Sequence, residues 1–167
     1  MNVLNERGGS GVNEMAERNG ELPIVVGVDD SDAAHRALAW AIEEATIRHC
    51  SVHAVTVWSV GPVADFAWAP DNDIKLIAEK KLSSTVRDAI AGRTNVPPIV
   101  ESVIEGTPAK ALVAAAHDAS MLVVATHSGE KLRKALLGSV SSECVRHSSV
   151  PVVVIRPETG STHHARS

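Results

Sequence analysis

Short apolar runs alternate with segments whose apolar residues recur every three or four positions, and this alternation leaves few folds open to the chain. The runs are Ile24–Val28, closed by Asp29, then Val52–Trp58, Pro98–Ile104, Met121–Ala125 and Val150–Ile155. Most are continuous rather than alternating, as expected of parallel strands buried on both faces. Between the first two, Ala34, Leu38, Ala41, Ile42 and Ala45 mark one face of a helix reaching about Arg48. Ile74, Ile77, Ala78, Leu82, Val86 and Ala89 mark a second helix, ending near Gly92. Ala109–His117 and a segment from Val140 to about Arg146 complete the series. Strand–helix alternation with right-handed crossovers predicts an α/β fold: a doubly wound, five-stranded parallel sheet in a single domain.

Composition agrees. Hydrophobic residues make up 44% of the 167 positions but aromatic residues only 2%, so Val, Ala, Ile and Leu must build the core. A net charge of −4 without a dense Lys/Arg block argues against nucleic acid as a partner. Cys50 and Cys144 lack metal-ligand spacing and are expected to be reduced and buried. No apolar stretch approaches the roughly 20 residues that span a bilayer, so no membrane partner is expected. The polar, Gly- and Glu-rich start lacks the core of a signal peptide, so the expected location is cytoplasmic. The expected organisation is a mobile extension over residues 1–21, a folded domain over 22–157 and a polar tail over 158–167, whose His163-His164 pair is assigned no metal.

Local signals place the helix starts. Asp30-Ser31-Asp32 supplies capping side chains, Asp71 is a candidate cap, and Thr107-Pro108 combines an N-cap with proline at the first helical position. The stretch MLVVATHSGEKLRKALLGSVS, residues 121–141, is richer. It reads as a strand, a polar basic loop, and Gly138-Ser139 opening a helix, whose free N–H groups and dipole favour an anion. In doubly wound sheets ligands lie at the carboxyl ends of strands, where the strand order reverses. If strands one and four flank that point, Asp29 and the loop from Thr126 to Ser139 converge on one crevice. Catalytic signatures are missing: there is no GxxxxGK[ST], GxSxG or GxGxxG. Ser139 also has no base near it in sequence. A dedicated enzyme is not expected; slow hydrolysis of a bound nucleotide is the most that is.

VVGVDDSDAAHRALAWA, EGTPAKAL and LVVATHSGEKLRKALLGSVSSECVRHSSVPVVVIRP stand in an order and spacing that resembles the universal stress protein family, over about Leu22 to Pro157. The resemblance implies a Rossmann-like sheet of the adenine-nucleotide alpha-hydrolase type, ordered 3-2-1-4-5. It also implies homodimers paired along the last strand, here Val150–Ile155, and in one branch ATP in the crevice. By that resemblance Asp29 lies near the ribose or adenine, Val57 against the adenine, and Val124 and Ala125 along base and sugar. Gly138, Ser139, Val140 and Ser141 would hold the phosphates. Asp30 is a candidate to assist Mg²⁺ brought by ATP, and His127, Lys131, Arg133 and Lys134 are candidate phosphate contacts. Trp40, Trp58 and Trp68 are read as packing residues, with Trp68 the one able to cover a ligand or a dimer partner.

The ATP-binding branch carries Gly-x-x-Gly, nine residues, then Gly-Ser or Gly-Thr. That frame falls here on Ala125, Ser128 and Gly138-Ser139. Its second half matches; both early glycines are replaced. A non-glycine residue held at positive φ costs on the order of 1–2 kcal/mol, whereas Ala125 in a β conformation costs little. Ser128 can return a hydroxyl to a phosphate oxygen. The expected function is a stress-response regulator that binds an adenine nucleotide, ATP foremost and cyclic AMP as another candidate, and that acts on a protein partner the sequence does not name. The alternative is a nucleotide-free dimeric protein–protein interaction module, which the replacements Ala125 and Ser128 favour.

Overall fold

The computed structural model describes residues 21–59, 71–126 and 137–156. Within them the chain runs β1 (Ile24–Gly27), α1 (Asp32–Arg48), β2 (Val52–Trp58), α2 (Asp71–Ile90), β3 (Ile99–Glu105), α3 (Pro108–Ala115), β4 (Met121–Ala125), α4 (Ser139–His147) and β5 (Val152–Ile155). The strands form one sheet in the order β3-β2-β1-β4-β5, and every pairing is parallel. The expected architecture and strand order are those observed.

Residue alternation along the strands builds two cores. Ile24, Val26 and Val28 point to the face covered by α1 and α2, where they meet Leu38, Ile42, Leu82 and Val86. Val25 and Val55 point to the other face, against Leu112, Leu122, Val124 and Cys144. Ile24, Leu38, Ile42 and Leu122 are fully enclosed, each contributing about 1.5–3 kcal/mol of apolar burial. Both cysteines are free and buried, as expected. Burial raises both thiol pKa values above the ordinary 9.0.

The ends of elements follow local chemistry. Ser31 caps α1, its Oγ accepting from the Ala34 N–H at 3.1 Å. Helix α2 stops at Ile90, and Gly92 takes φ +73° in the turn that follows. Two expectations are corrected. Thr107 occupies the N-cap position of α3 but its side chain makes no capping hydrogen bond. Strand five starts at Val152 rather than Val150, because Pro151 has no N–H for a ladder and Val150 N–H turns to Ser148 Oγ at 3.2 Å. Asp71 is the first residue of α2.

Candidate functional site

Strand order reverses between β1 and β4, which lie side by side while their crossover helices go to opposite faces. A cavity of about 300 Å³ opens at their carboxyl ends, on the α3/α4 side of the sheet. Its apolar lining includes Val28, Val55, Val57, Leu112, Val124 and Val140; Asp29, Gly138, Ser139 and Ser141 add polar groups. Asp29, Val57, Val124, Ala125, Gly138, Ser139, Val140 and Ser141, all expected from sequence, therefore line one cavity. Ser128, His127, Lys131, Arg133, Lys134 and Trp68 lie outside the described residues.

Sequence reasoning missed the α3 wall, made by Pro108 and Leu112, and the role of Gly27. A Cβ on Gly27 would stand 3.0 Å from Leu112 Cδ1, so the missing side chain lets α3 settle onto β1. A glycine inside a β-branched run signals such close approach, and that signal was available. Pro108 and Leu112 are four apart and share a helix face, but only the tertiary fold shows what that face covers.

The polar groups of the lining are partly committed within the chain. Asp29 Oδ1 accepts from the Ser31 N–H at 2.9 Å and from Ser31 Oγ at 2.5 Å, bracing the turn into α1. Gly138 is the N-cap of α4, with φ −63° and ψ 166° and no capping side chain. The first N–H groups of α4, from Ser139, Val140 and Ser141, have no acceptor within the helix, as at any helix start. The Gly138 N–H donates to Thr126 Oγ1 at 3.2 Å, and Ser141 Oγ donates to the Gly138 carbonyl at 3.1 Å. Ser141 is 1% exposed, and its hydroxyl is engaged by the Gly138 carbonyl.

Two questions about glycine are answered here. Gly138 has a negative φ, so its backbone makes no demand for glycine, and a Cβ there would meet only ordinary contacts, Ser141 Oγ at 3.7 Å and Thr126 Oγ1 at 3.9 Å. Among the described residues the non-glycine with positive φ is His49, not Ala125. Ala125 therefore replaces a glycine without backbone strain, and adds a methyl to the wall.

Asp30 does not join this cavity. It pairs with Lys81 on α2 and lines a second cavity of about 240 Å³, beside Trp58, Ile74 and Ile77, that shares Val28, Asp29 and Val57 with the first. Trp40 packs on the core, as expected. Among the described residues, no group of three or more metal-binding side chains is present.

A parallel doubly wound domain with an apolar crevice at its switch point, lined in part by an uncapped helix start, belongs to the class of doubly wound α/β folds that hold ligands at this crevice. The model of the Universal stress protein family matches residues 22–156, and the chain belongs to that family. The universal stress protein Rv2623 of Mycobacterium tuberculosis (strain ATCC 25618 / H37Rv) is 31% identical over 159 residues, covering 90% of this chain and 52% of that protein. The chain thus spans about half the length of the curated relatives it matches. A universal stress protein from Archaeoglobus fulgidus superposes with a TM-score of 0.62 at 27% identity, covering 80% of this chain and 98% of the other. The structure of the universal stress protein from Archaeoglobus fulgidus in complex with dAMP gives a TM-score of 0.55 at 27% identity, covering 80% and 97%. No helix among the described residues is long and apolar enough to cross a membrane.

Proposed function

We propose that this domain is a stress-response regulator that binds an adenine nucleotide, ATP foremost, in the cavity at the ends of β1 and β4. The observation that carries the reading is the cavity's lining: valine and leucine side chains suited to a base and sugar, together with the uncapped start of α4. A helix start of this kind favours phosphate through its N–H groups and its dipole. The dAMP complex of a relative at 27% identity supports the ligand class. Mg²⁺ would arrive with the triphosphate.

The protein acts in the cytoplasm as a homodimer joined along the segment Val150–Ile155, with the folded unit spanning 22–157. The two sheet edges differ in the way this pairing requires. The outer strand β3 carries exposed Glu101 and Glu105, whereas β5 is Val-Val-Val-Ile with no charge to discourage a neighbouring strand. Ligand preference for one state of the dimer shifts its population, and the partner protein reads that shift.

A second reading has its own observation. Asp29 and the Gly138 N–H already hold partners within the chain, as they would in a nucleotide-free interaction module. Calorimetric titration of nucleotide-stripped protein with Mg-ATP separates the two. Saturable binding with a dissociation constant below about a millimolar, roughly −4 kcal/mol, supports the nucleotide reading. No heat and no thermal stabilisation at that concentration leaves the interaction module.

A further inference from the structure

Thr126 lies outside the set of residues expected to touch a ligand, yet it holds the wall that such a ligand would meet. It is the first residue after β4 and only 6% exposed. Its N–H donates to the Ile155 carbonyl of β5 at 2.9 Å, fixing its backbone to the sheet. Its Oγ1 accepts from the Gly138 N–H at 3.2 Å. The peptide of Gly138 is gripped on its other side as well, its carbonyl accepting from Ser141 Oγ at 3.1 Å and from the Ser142 N–H at 2.9 Å. The start of α4 is thereby tied to the end of β4 through a side chain, independently of the eleven residues, 127–137, that connect Thr126 to Gly138 in sequence.

We propose that Thr126 is a positioning residue for the anionic part of the ligand. Resting on the nucleotide reading above, it fixes the direction in which the Ser139, Val140 and Ser141 N–H groups point, without touching the ligand. Preorganised donors of this kind act only if they need not reorient on binding. Threonine suits the task because a buried hydroxyl oxygen accepts while its methyl fills apolar space. The consequence is a division of labour: Thr126 governs phosphate affinity, whereas the Val57, Val124 and Leu112 surface governs the nucleoside.

The test compares wild type, Thr126→Val and Thr126→Ser by calorimetry with Mg-ATP and with adenosine. Valine is nearly isosteric but cannot accept, so ATP affinity should fall by about three- to tenfold, the effect of one ordinary hydrogen bond. Adenosine affinity should stay within about twofold, and Thr126→Ser should restore ATP binding. Equal losses for both ligands, or unchanged ATP affinity in Thr126→Val, overturn the proposal. Hydrogen exchange of the ligand-free proteins reads the same clamp without nucleotide. The Gly138 amide, which Thr126 Oγ1 holds, should exchange several-fold faster in Thr126→Val, and an unchanged rate counts against the clamp. A wild-type chain that binds neither ATP nor adenosine overturns the nucleotide reading instead, and the exchange result then decides the clamp by itself.

Discussion

Substitutions at Gly138 separate the fold from the site, because the structure shows room for one methyl and a cost for more. An ideal Cβ there would lie 3.7 Å from Ser141 Oγ and 3.9 Å from Thr126 Oγ1, which is ordinary van der Waals contact. With φ at −63°, alanine and valine both fit the backbone. For Gly138→Ala two effects nearly cancel. Alanine is a poorer N-cap than glycine by about 0.5–1 kcal/mol. Restricting the unfolded chain returns about 0.4–1 kcal/mol. Stability should therefore change by less than about 0.5 kcal/mol, as read by chemical denaturation. Gly138→Val adds two further methyls beside the first N–H groups of α4, where a phosphate oxygen must come within about 3 Å of nitrogen. Losing one charge-assisted hydrogen bond removes about 1.5–3 kcal/mol, a ten- to hundredfold weaker dissociation constant for Mg-ATP. Adenosine, which has no phosphate, serves as the control and should be little affected. Gly138→Val protein that binds ATP as tightly as wild type would refute the placement of the phosphates.

Other expectations concern titration, assembly and thiol chemistry. His53 is half-buried on β2 and hydrogen-bonded to Ser102 Oγ at 2.8 Å, and burial lowers its pKa below the ordinary 6.5. The unfolded chain then takes up the proton first, so stability from this site is complete above pH 6.5 and declines as pH falls through it. Denaturation midpoints of wild type should drop on acidification more than those of His53→Gln; parallel curves would assign the loss to other groups. In β5 the Pro151 and Ile155 carbonyls face β4, accepting from Leu122 and Thr126 N–H at 2.9 Å, so the backbone of Val154 points outward. Val154→Pro removes an outward donor while sparing that ladder, and light scattering should show a dimer becoming a monomer. Cys50 and Cys144 are 2% and 0% exposed with raised pKa values, so neither should react with a thiol reagent until the protein is denatured.

What the sequence disclosed follows from which forces act locally. Met121–Ala125 was readable to the residue because a fully buried parallel strand is a continuous apolar run with polar ends. The limits of α3 were less so. Its apolar residues suggest Ala109–His117, but the regular helix covers Pro108–Ala115, where tight turns at Ala116 and His117 take over the hydrogen bonding. Site residues on β1, β4 and the start of α4 were legible because each is adjacent in sequence to a strand end or a helix start. Leu112 and Thr126 were not. Leu112 reaches the cavity only through the crossing of α3 over β1, permitted by Gly27. Thr126 matters through a partner twelve residues away that only the tertiary fold brings near.

The geometry also changes the weight of the missing glycines. Two replaced glycines at positive φ would together remove roughly 2–4 kcal/mol, weakening a micromolar site to tens or hundreds of micromolar. Ala125 sits at the end of β4, paired with Ile155, and makes no such demand, so its share of that penalty disappears. What remains of the departure rests on Ser128 alone, which makes Ser128→Gly the informative reversion. A gain in ATP affinity of about tenfold would identify the serine as the residual defect. No gain would mean that the cavity between Asp29 and the start of α4 sets the affinity, through the groups the chain has already engaged for itself.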